Sequence, residues 1–326
     1  MNHRTFLLRC AGAAALALCT TFAAAQSWPA RPVKLIVPFP PGGGSDAVGR
    51  VIANKLSERL GQQVVVENRA GAGGSMGTEA AVRSAPDGYT LVLASVSEVA
   101  INPGLYGGRL TYDTVKDLVP VALVASTPMV VLANASLPVN TLPELIAFAR
   151  SKPGEINVAS AGAGTVTHLS GELFRSLAGV SWTHVPYKGT GPALQDLGGG
   201  QVQLMFSVPP PALGLVKSGK AKVLAVSGRS RSATFPDVPT VLEATRIDYV
   251  VDNWYGIFAP VGTPREVVAR LADEVSQSLK SPDVVTSLGL QGAAPGTLVG
   301  APFGDYVKAE VDKWGKLVKS TGAKID

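Results

Sequence analysis

The stretch Pro32-Val33-Lys34-Leu35-Ile36-Val37-Pro38-Phe39-Pro40-Pro41-Gly42-Gly43-Gly44-Ser45-Asp46 joins a short apolar run to a glycine-rich turn. Behind it, Val48, Val51, Ile52, Leu56 and Leu60 recur at helical spacing, which predicts a helix over Asp46 to Leu60. A buried strand, a tight turn and an amphipathic helix in that order open an alternating strand and helix fold. The glycines let the backbone turn sharply and approach a ligand, while the helix start offers unpaired N–H groups and the positive end of its dipole. Such a turn is a natural anion cradle. Equally, Ser45 or Asp46 can serve as an ordinary helix cap. No lysine followed by serine or threonine closes the glycines, as a phosphate-binding loop requires, and the dinucleotide glycine pattern is incomplete.

The same alternation continues outward. Strands are expected at Pro32 to Phe39, Val64 to Glu67, Tyr89 to Ser95, Val119 to Ser126, Met129 to Ala133, Ile156 to Ser160, Trp182 to Tyr187, Val202 to Ser207, Lys222 to Ser227 and Tyr255 to Ala259. Most are continuous apolar runs, as in strands covered on both faces. Helices are expected at Thr141 to Arg150, opening with a Thr141/Glu144 capping box, and after a second box at Thr263 and Glu266 with Pro264 at the first helical position. A last helix spans about Phe303 to Lys319. The proline and glycine clusters at 207–214 and 235–239 read as surface loops. The fold class is therefore a mainly parallel α/β architecture, and 326 residues suffice for two domains.

A second turn repeats the first design. Ala159-Ser160-Ala161-Gly162-Ala163-Gly164-Thr165-Val166-Thr167-His168 again runs from buried strand through small residues to a hydroxyl-bearing helix start. Two such cradles, one in each half, can face each other across a cleft. Gly71-Ala72-Gly73-Gly74-Ser75-Met76-Gly77 offers either a third cradle or a plain connection.

The opening segment has Arg4 and Arg9, a charge-free run from Cys10 to Ala25, and Ala23-Ala24-Ala25 at its end. That is the pattern of a secretory signal peptide cleaved after Ala25, and the run falls short of the roughly 20 residues of a membrane span. His3-Arg4-Thr5-Phe6-Leu7 resembles a twin-arginine signal without its first arginine, which leaves the export route open. Both cysteines lie in this leader, so the remainder has no disulfide, thiolate nucleophile or cysteine metal site. Two of the 29 basic residues lie there too, leaving 27 against 24 acidic residues and a charge of +3 rather than +5. That charge, without a basic run, does not suit nucleic acid.

Catalytic groups are scarce. The histidines after the leader are His168 and His184, no Gly-x-Ser-x-Gly elbow exists, and no histidine pair has metal-ligand spacing. An exported hydrolase using His168 is one alternative. Binding without chemistry, with no cofactor, fits the inventory better.

Larger motifs then align with a known family. Trp28-Pro29, Arg31-Pro32-Val33, Ile36-Val37-Pro38-Phe39, Pro41-Gly42-Gly43 and Asp46 open the series, followed by Val66-Glu67-Asn68-Arg69, Pro86-Asp87-Gly88-Tyr89, Ala100-Ile101-Asn102-Pro103, Val185-Pro186-Tyr187-Lys188-Gly189, Pro236-Asp237-Val238-Pro239-Thr240 and Trp254-Tyr255-Gly256. In this order they resemble the Bug proteins, periplasmic solute receptors of tripartite tricarboxylate transport systems, along essentially the whole chain after the leader.

The resemblance implies a two-lobed periplasmic-binding-protein fold of the second type, with residues 26–126 plus 249–326 as lobe 1 and 127–248 as lobe 2. It implies a small carboxylate gripped by Phe39, Pro41, Gly42, Gly43, Gly44, Ser45 and Asp46 from one side and by Ser160, Ala161, Gly162, Gly164, Thr165, Thr167 and His168 from the other, with Tyr187 and Ser207 nearby. It further implies a monomer that meets transporter membrane subunits in the periplasm, with a carboxylate sensor as the alternative. Bug proteins commonly carry Asp where this chain has Ser207 after Met205-Phe206. That exchange favours a mono- or dicarboxylate over an amino acid, and Phe39, Tyr187 and Trp254 suggest an aromatic acid as one option.

Overall fold

In the computed structural model, which describes residues 28–321, the apolar run after Pro32 forms strand β1 (Val33–Val37) and its glycine turn leads into helix α1 (Gly44–Leu60). The expected leader lies outside the described residues. Val33, Leu35 and Val37 meet Val48, Ile52 and Leu56 of α1, while Ile36 joins the core on the opposite face. Both faces are covered, which is why the run is apolar throughout. Strands β2 (Val64–Asn68) and β3 (Thr90–Ser95) flank β1 in parallel. The connections carry helix α2 (Ser75–Val82) and, after β3, a π-helical turn at Ser97–Ile101 that runs into α3 (Asn102–Tyr106). With β4 (Leu118–Pro128), β10 (Asp252–Pro260) and β11 (Ala294–Pro295), they make a six-stranded sheet ordered β11-β4-β10-β3-β1-β2. β10 runs antiparallel to both neighbours.

Residues between β4 and β10 build a second sheet from β5 (Val130–Asn134), β6 (Asn157–Ser160), β7 (Thr183–Pro186), β8 (Leu204–Ser207) and β9 (Ala221–Val226), ordered β7-β6-β8-β5-β9. β6 is parallel to β7 and β8. Helices α4 (Leu142–Ser151), α5 (Val166–Ala178), α6 (Thr190–Gly199), α7 (Pro209–Lys217) and α8 (Val241–Thr245) belong to this part of the chain. α9 (Arg265–Leu279), α10 (Pro282–Leu290) and α11 (Gly300–Thr321) follow β10. One continuous cluster joins Ile36 and Val92 of the first sheet to Val131 and Phe206 of the second, with Trp254, Phe303 and Trp314 in it.

The chain passes between the sheets twice, and the two passages are tied together. Met129 N–H donates to Ser227 Oγ at 2.7 Å, Ser227 N–H donates to Met129 O at 2.8 Å, and the Ser227 hydroxyl donates to the Val251 carbonyl. Ser227 is fully buried, so these bonds form without competition from water.

All ten expected strands form, but the sheets are mixed rather than mainly parallel, with β1, β2, β3, β6, β7 and β8 supplying the parallel pairs while β10 and β5 run against both their neighbours, and three local readings need correction. The 207–214 cluster is a helix rather than a surface loop: Pro209 and Pro210 open α7, where a missing N–H costs nothing. The box at Thr263 and Glu266 does not form, because the Thr263 hydroxyl donates to Pro260 O and α9 begins after Pro264 without a side-chain cap. The complete capping box instead joins Thr240 and Glu243 at the start of α8. At α4 the box is shifted: Thr141 Oγ1 accepts from Glu144 N–H, while the Glu144 carboxylate takes the Asn140 N–H at 2.6 Å.

Candidate functional site

The two predicted turns lie at the carboxyl ends of β1 and β6, the position where open α/β sheets bind ligands. In the first, Phe39 is half-buried, Pro41 to Gly44 are exposed, and Gly42 adopts φ +82°, which glycine reaches without strain. Gly43 occupies the N-cap of α1, and no side chain caps the helix. Donors at the helix start are therefore left for an anion.

Asp46 is turned inward. It is 4% exposed, and its carboxylate accepts from Gly42 N–H at 2.9 Å, Arg50 Nε at 3.0 Å and Asn68 Nδ2 at 3.0 Å. Burial raises its pKa, but the bonds from Arg50, Gly42 and Asn68 outweigh burial and hold it below the usual carboxylate value. Asn68 also donates to Phe39 O at 3.0 Å, so Asp46 and Asn68 together set the shape of the turn. Ser45 is buried beside the Tyr255 hydroxyl, which accepts from Asn253 Nδ2 at 2.8 Å. A Cβ on Gly44 would come 2.9 Å from that hydroxyl.

Beneath the 71–77 stretch sits a residue that the motifs do not mark. Glu98, in the π-helical turn after β3, is fully buried. One carboxyl oxygen takes the Ser95 hydroxyl and amide, and the other has no protein partner. Burial pushes its pKa up to about 7. A Cβ at Gly74 (φ +88°) would lie 2.5 Å from Glu98 Cγ, so the 71–77 stretch closes over the carboxyl group as a lid of bare backbone.

The second turn is more fully bonded within itself. Ala161 N–H donates to Thr167 Oγ1 at 2.9 Å, Gly162 N–H to Ser160 Oγ at 3.2 Å, and the Thr165 hydroxyl to Gly162 O at 2.7 Å. Thr165 also caps α5 by accepting from His168 N–H, and its hydroxyl lies 2.8 Å from that of Thr167. Gly164 N–H donates to His168 Nδ1 at 3.1 Å, and Ser160 Oγ lies 2.7 Å from His184 Nε2. The two imidazole rings stack with centroids 3.8 Å apart. Burial, then His184 and Arg175, push the His168 pKa down to about 4, and burial lowers that of His184 as well. Tyr187 and Ser207 come to the same end of the sheet, after β7 and at the end of β8. The Tyr187 hydroxyl is spent on Asp196 at 2.7 Å, and Ser207 is fully buried.

Trp254 lies elsewhere. It is fully buried, donates to Glu310 and packs edge-on against Phe303 and Tyr306, so it belongs to the core. His184, Asn68, Tyr255 and Glu98 are the neighbours that sequence reading missed. Tyr255, Asn68 and His184 stand inside or beside recognisable motifs, whereas Glu98 carries no local signal.

An open groove of about 920 Å³ lies at the junction of the sheets, lined by Ser126, Arg229, Asp252, Tyr306 and Lys313 among others. It contains none of the predicted site residues. Of its charged lining residues, Lys313 pairs with Glu310 and Arg231 with Glu243. Among the described residues no group of three potential ligands could hold a metal ion, and no helix is long and apolar enough to cross a membrane.

Two sheets bridged by two chain passages, each presenting a small-residue turn at its carboxyl end, define a two-lobed periplasmic-binding-protein fold. The tripartite tricarboxylate transporter family receptor model matches residues 48–323. The protein BugT of Bordetella pertussis is 40% identical over 302 residues, covering 92% of each chain. The structure of R. palustris Rpa4515 with adipate is 36% identical with a TM-score of 0.83, over 91% of this chain and 100% of that one. The periplasmic binding protein BugD is 35% identical with a TM-score of 0.79, over 91% and 99%. The chain belongs to the tripartite tricarboxylate transporter receptor family, a family of periplasmic solute-binding proteins, among the Bug proteins.

Proposed function

We propose that this receptor captures a small mono- or dicarboxylate between lobe 1 (26–126 with 249–326) and lobe 2 (127–248) and delivers it, as a periplasmic monomer released from its leader, to the membrane subunits of a tripartite tricarboxylate-type transporter. The observation that carries the reading is the uncapped start of α1 at the carboxyl end of β1, matched by the hydroxyl turn at the carboxyl end of β6. Backbone N–H and hydroxyl donors hold a carboxylate without a buried arginine, and charge-assisted bonds are about twice as strong as neutral ones. The ligand-bearing relative with adipate supports the same ligand class. Ser207 supports a plain carboxylate over an amino acid, and the aromatic option now rests on Phe39 and Tyr187 without Trp254.

A thermal-shift screen against mono-, di- and tricarboxylates, adipate and aromatic acids tests this, since a ligand of the folded state raises the melting temperature by mass action. Ser45→Ala and Thr165→Ala should each weaken the best binder by roughly 1–3 kcal/mol. No response across the panel, or tight aspartate binding with indifference to dicarboxylates, would overturn the reading.

A further inference from the structure

The turn at 160–165 is held at both ends by a pair of rings that its ligand chemistry does not require. Ser160, its first residue, contacts His184, and Gly164, near its last, donates to His168. Because the Gly164 N–H points at Nδ1, that nitrogen carries a lone pair, and the His168 proton resides on Nε2. Protonating the ring would place a hydrogen on Nδ1, facing the Gly164 N–H, and break the bond. The parallel stack adds a second cost once both rings are charged, because two imidazolium rings with centroids 3.8 Å apart would repel strongly in this partly buried setting.

The surroundings also favour neutral rings. β6, β8 and α11 pack against α5. The charged groups that act on the pair come from α5 itself: Arg175 opposes charge on His168, while Glu172 favours it on His184. Arg175 and Glu172 are already paired with each other at 2.5 Å, which leaves Glu172 a weak partner for an imidazolium. β6 supplies Ser160 and β7 supplies His184, both facing the ring contact.

We propose that His184 is a positioning residue for the second cradle, and that the stacked His168–His184 pair is its acid-labile support: the turn keeps its shape for an anion only while both rings are neutral. This rests on the reading of the turn as a carboxylate cradle. The consequence is a receptor that loosens its hold on solute as its surroundings acidify.

The test uses the exported protein between pH 4 and 8, following ring nitrogens by NMR and amide protection of Gly164 corrected for intrinsic exchange, with adipate affinity measured in parallel by calorimetry. Gly164 protection should fall at least tenfold in step with His168 titration, below the usual imidazole range, and adipate affinity should fall at least tenfold over the same interval. His184→Gln, which keeps a bond to Ser160 but removes the stack, should move the His168 midpoint upward and carry the loss of protection with it. Flat Gly164 protection through the His168 titration, or an unmoved midpoint in His184→Gln, overturns the proposal. Failure of adipate to bind at pH 7.5 counts against the carboxylate reading instead, and the exchange measurements still decide the role of the rings.

Discussion

The turn after β1 is backed by charge, and the turn after β6 by neutral rings and hydroxyls. In the first, Asp46 gathers Gly42, Arg50 and Asn68 around one buried carboxylate. In the second, Thr165, Thr167, Ser160 and two imidazoles share short neutral bonds. The first turn commits the Gly42 N–H to Asp46 but leaves its helix start without a side-chain cap, whereas the second uses the Ala161, Gly162 and Gly164 N–H groups and the Thr165 cap to hold its shape. Two stretches of similar composition reach the same backbone outline by different means, so they should respond to opposite perturbations.

The hardest blow to the first turn is Asp46→Ala. It strands the Gly42 N–H and one Asn68 proton, and should cost about 2–4 kcal/mol, the exposed Arg50 adding little. Urea unfolding measures this, and a loss below about 1 kcal/mol would mean that the turn does not depend on its carboxylate. Next come the titrations, whose signs differ. Glu98 is raised from 4.5 to about 7, so its contribution is complete below pH 4.5 and is lost as pH rises through 7, on the order of 3 kcal/mol. His168 is lowered from 6.5 to about 4, so its contribution is present above pH 6.5 and is lost as pH falls through 4. Melting temperatures across pH 4–8 should show Glu98→Gln removing the alkaline loss and His168→Gln the acid loss. Both variants tracking the wild type would erase the contrast.

Smaller effects sharpen the comparison. Ser227→Ala removes the buried tie between the two passages and should cost about 1–2 kcal/mol. The same change should alter ligand affinity through lobe geometry, with both turns intact. Thr165→Ala removes the cap of α5 and should cost about 1 kcal/mol in chemical denaturation, with no counterpart in the uncapped α1.

Much of the architecture could be read from residue patterns because its central strands, such as β1, β3, β5 and β8, are buried on both faces, which makes them largely apolar. The two turns stood out for a similar reason, since glycines clustered at a strand end mark a backbone that must bend sharply and stay bare. What escaped was decided by partners distant in sequence. Asp46 reads as a cap until Asn68 and Arg50 are seen to claim it. Thr263 and Glu266 have the spacing of a capping box, but Pro260 takes the threonine hydroxyl. Trp254 sits in a family-like motif yet points into the core, where Glu310 accepts its indole proton. Strand β11 is two residues long and too short to leave a pattern.

The position of β10 has a consequence in time. It lies between β3 and β4 in the first sheet, yet it begins at Asp252, after every strand of the second sheet has been made. A chain that emerges from its amino end can complete the second sheet from one contiguous run, Val130 to Val226, while the first still lacks an inner strand. Until β10 arrives, β3 and β4 present open edges, the kind of surface that recruits chaperones or other chains. The sheet that begins the sequence therefore cannot close until a strand from the last quarter of the chain is in hand.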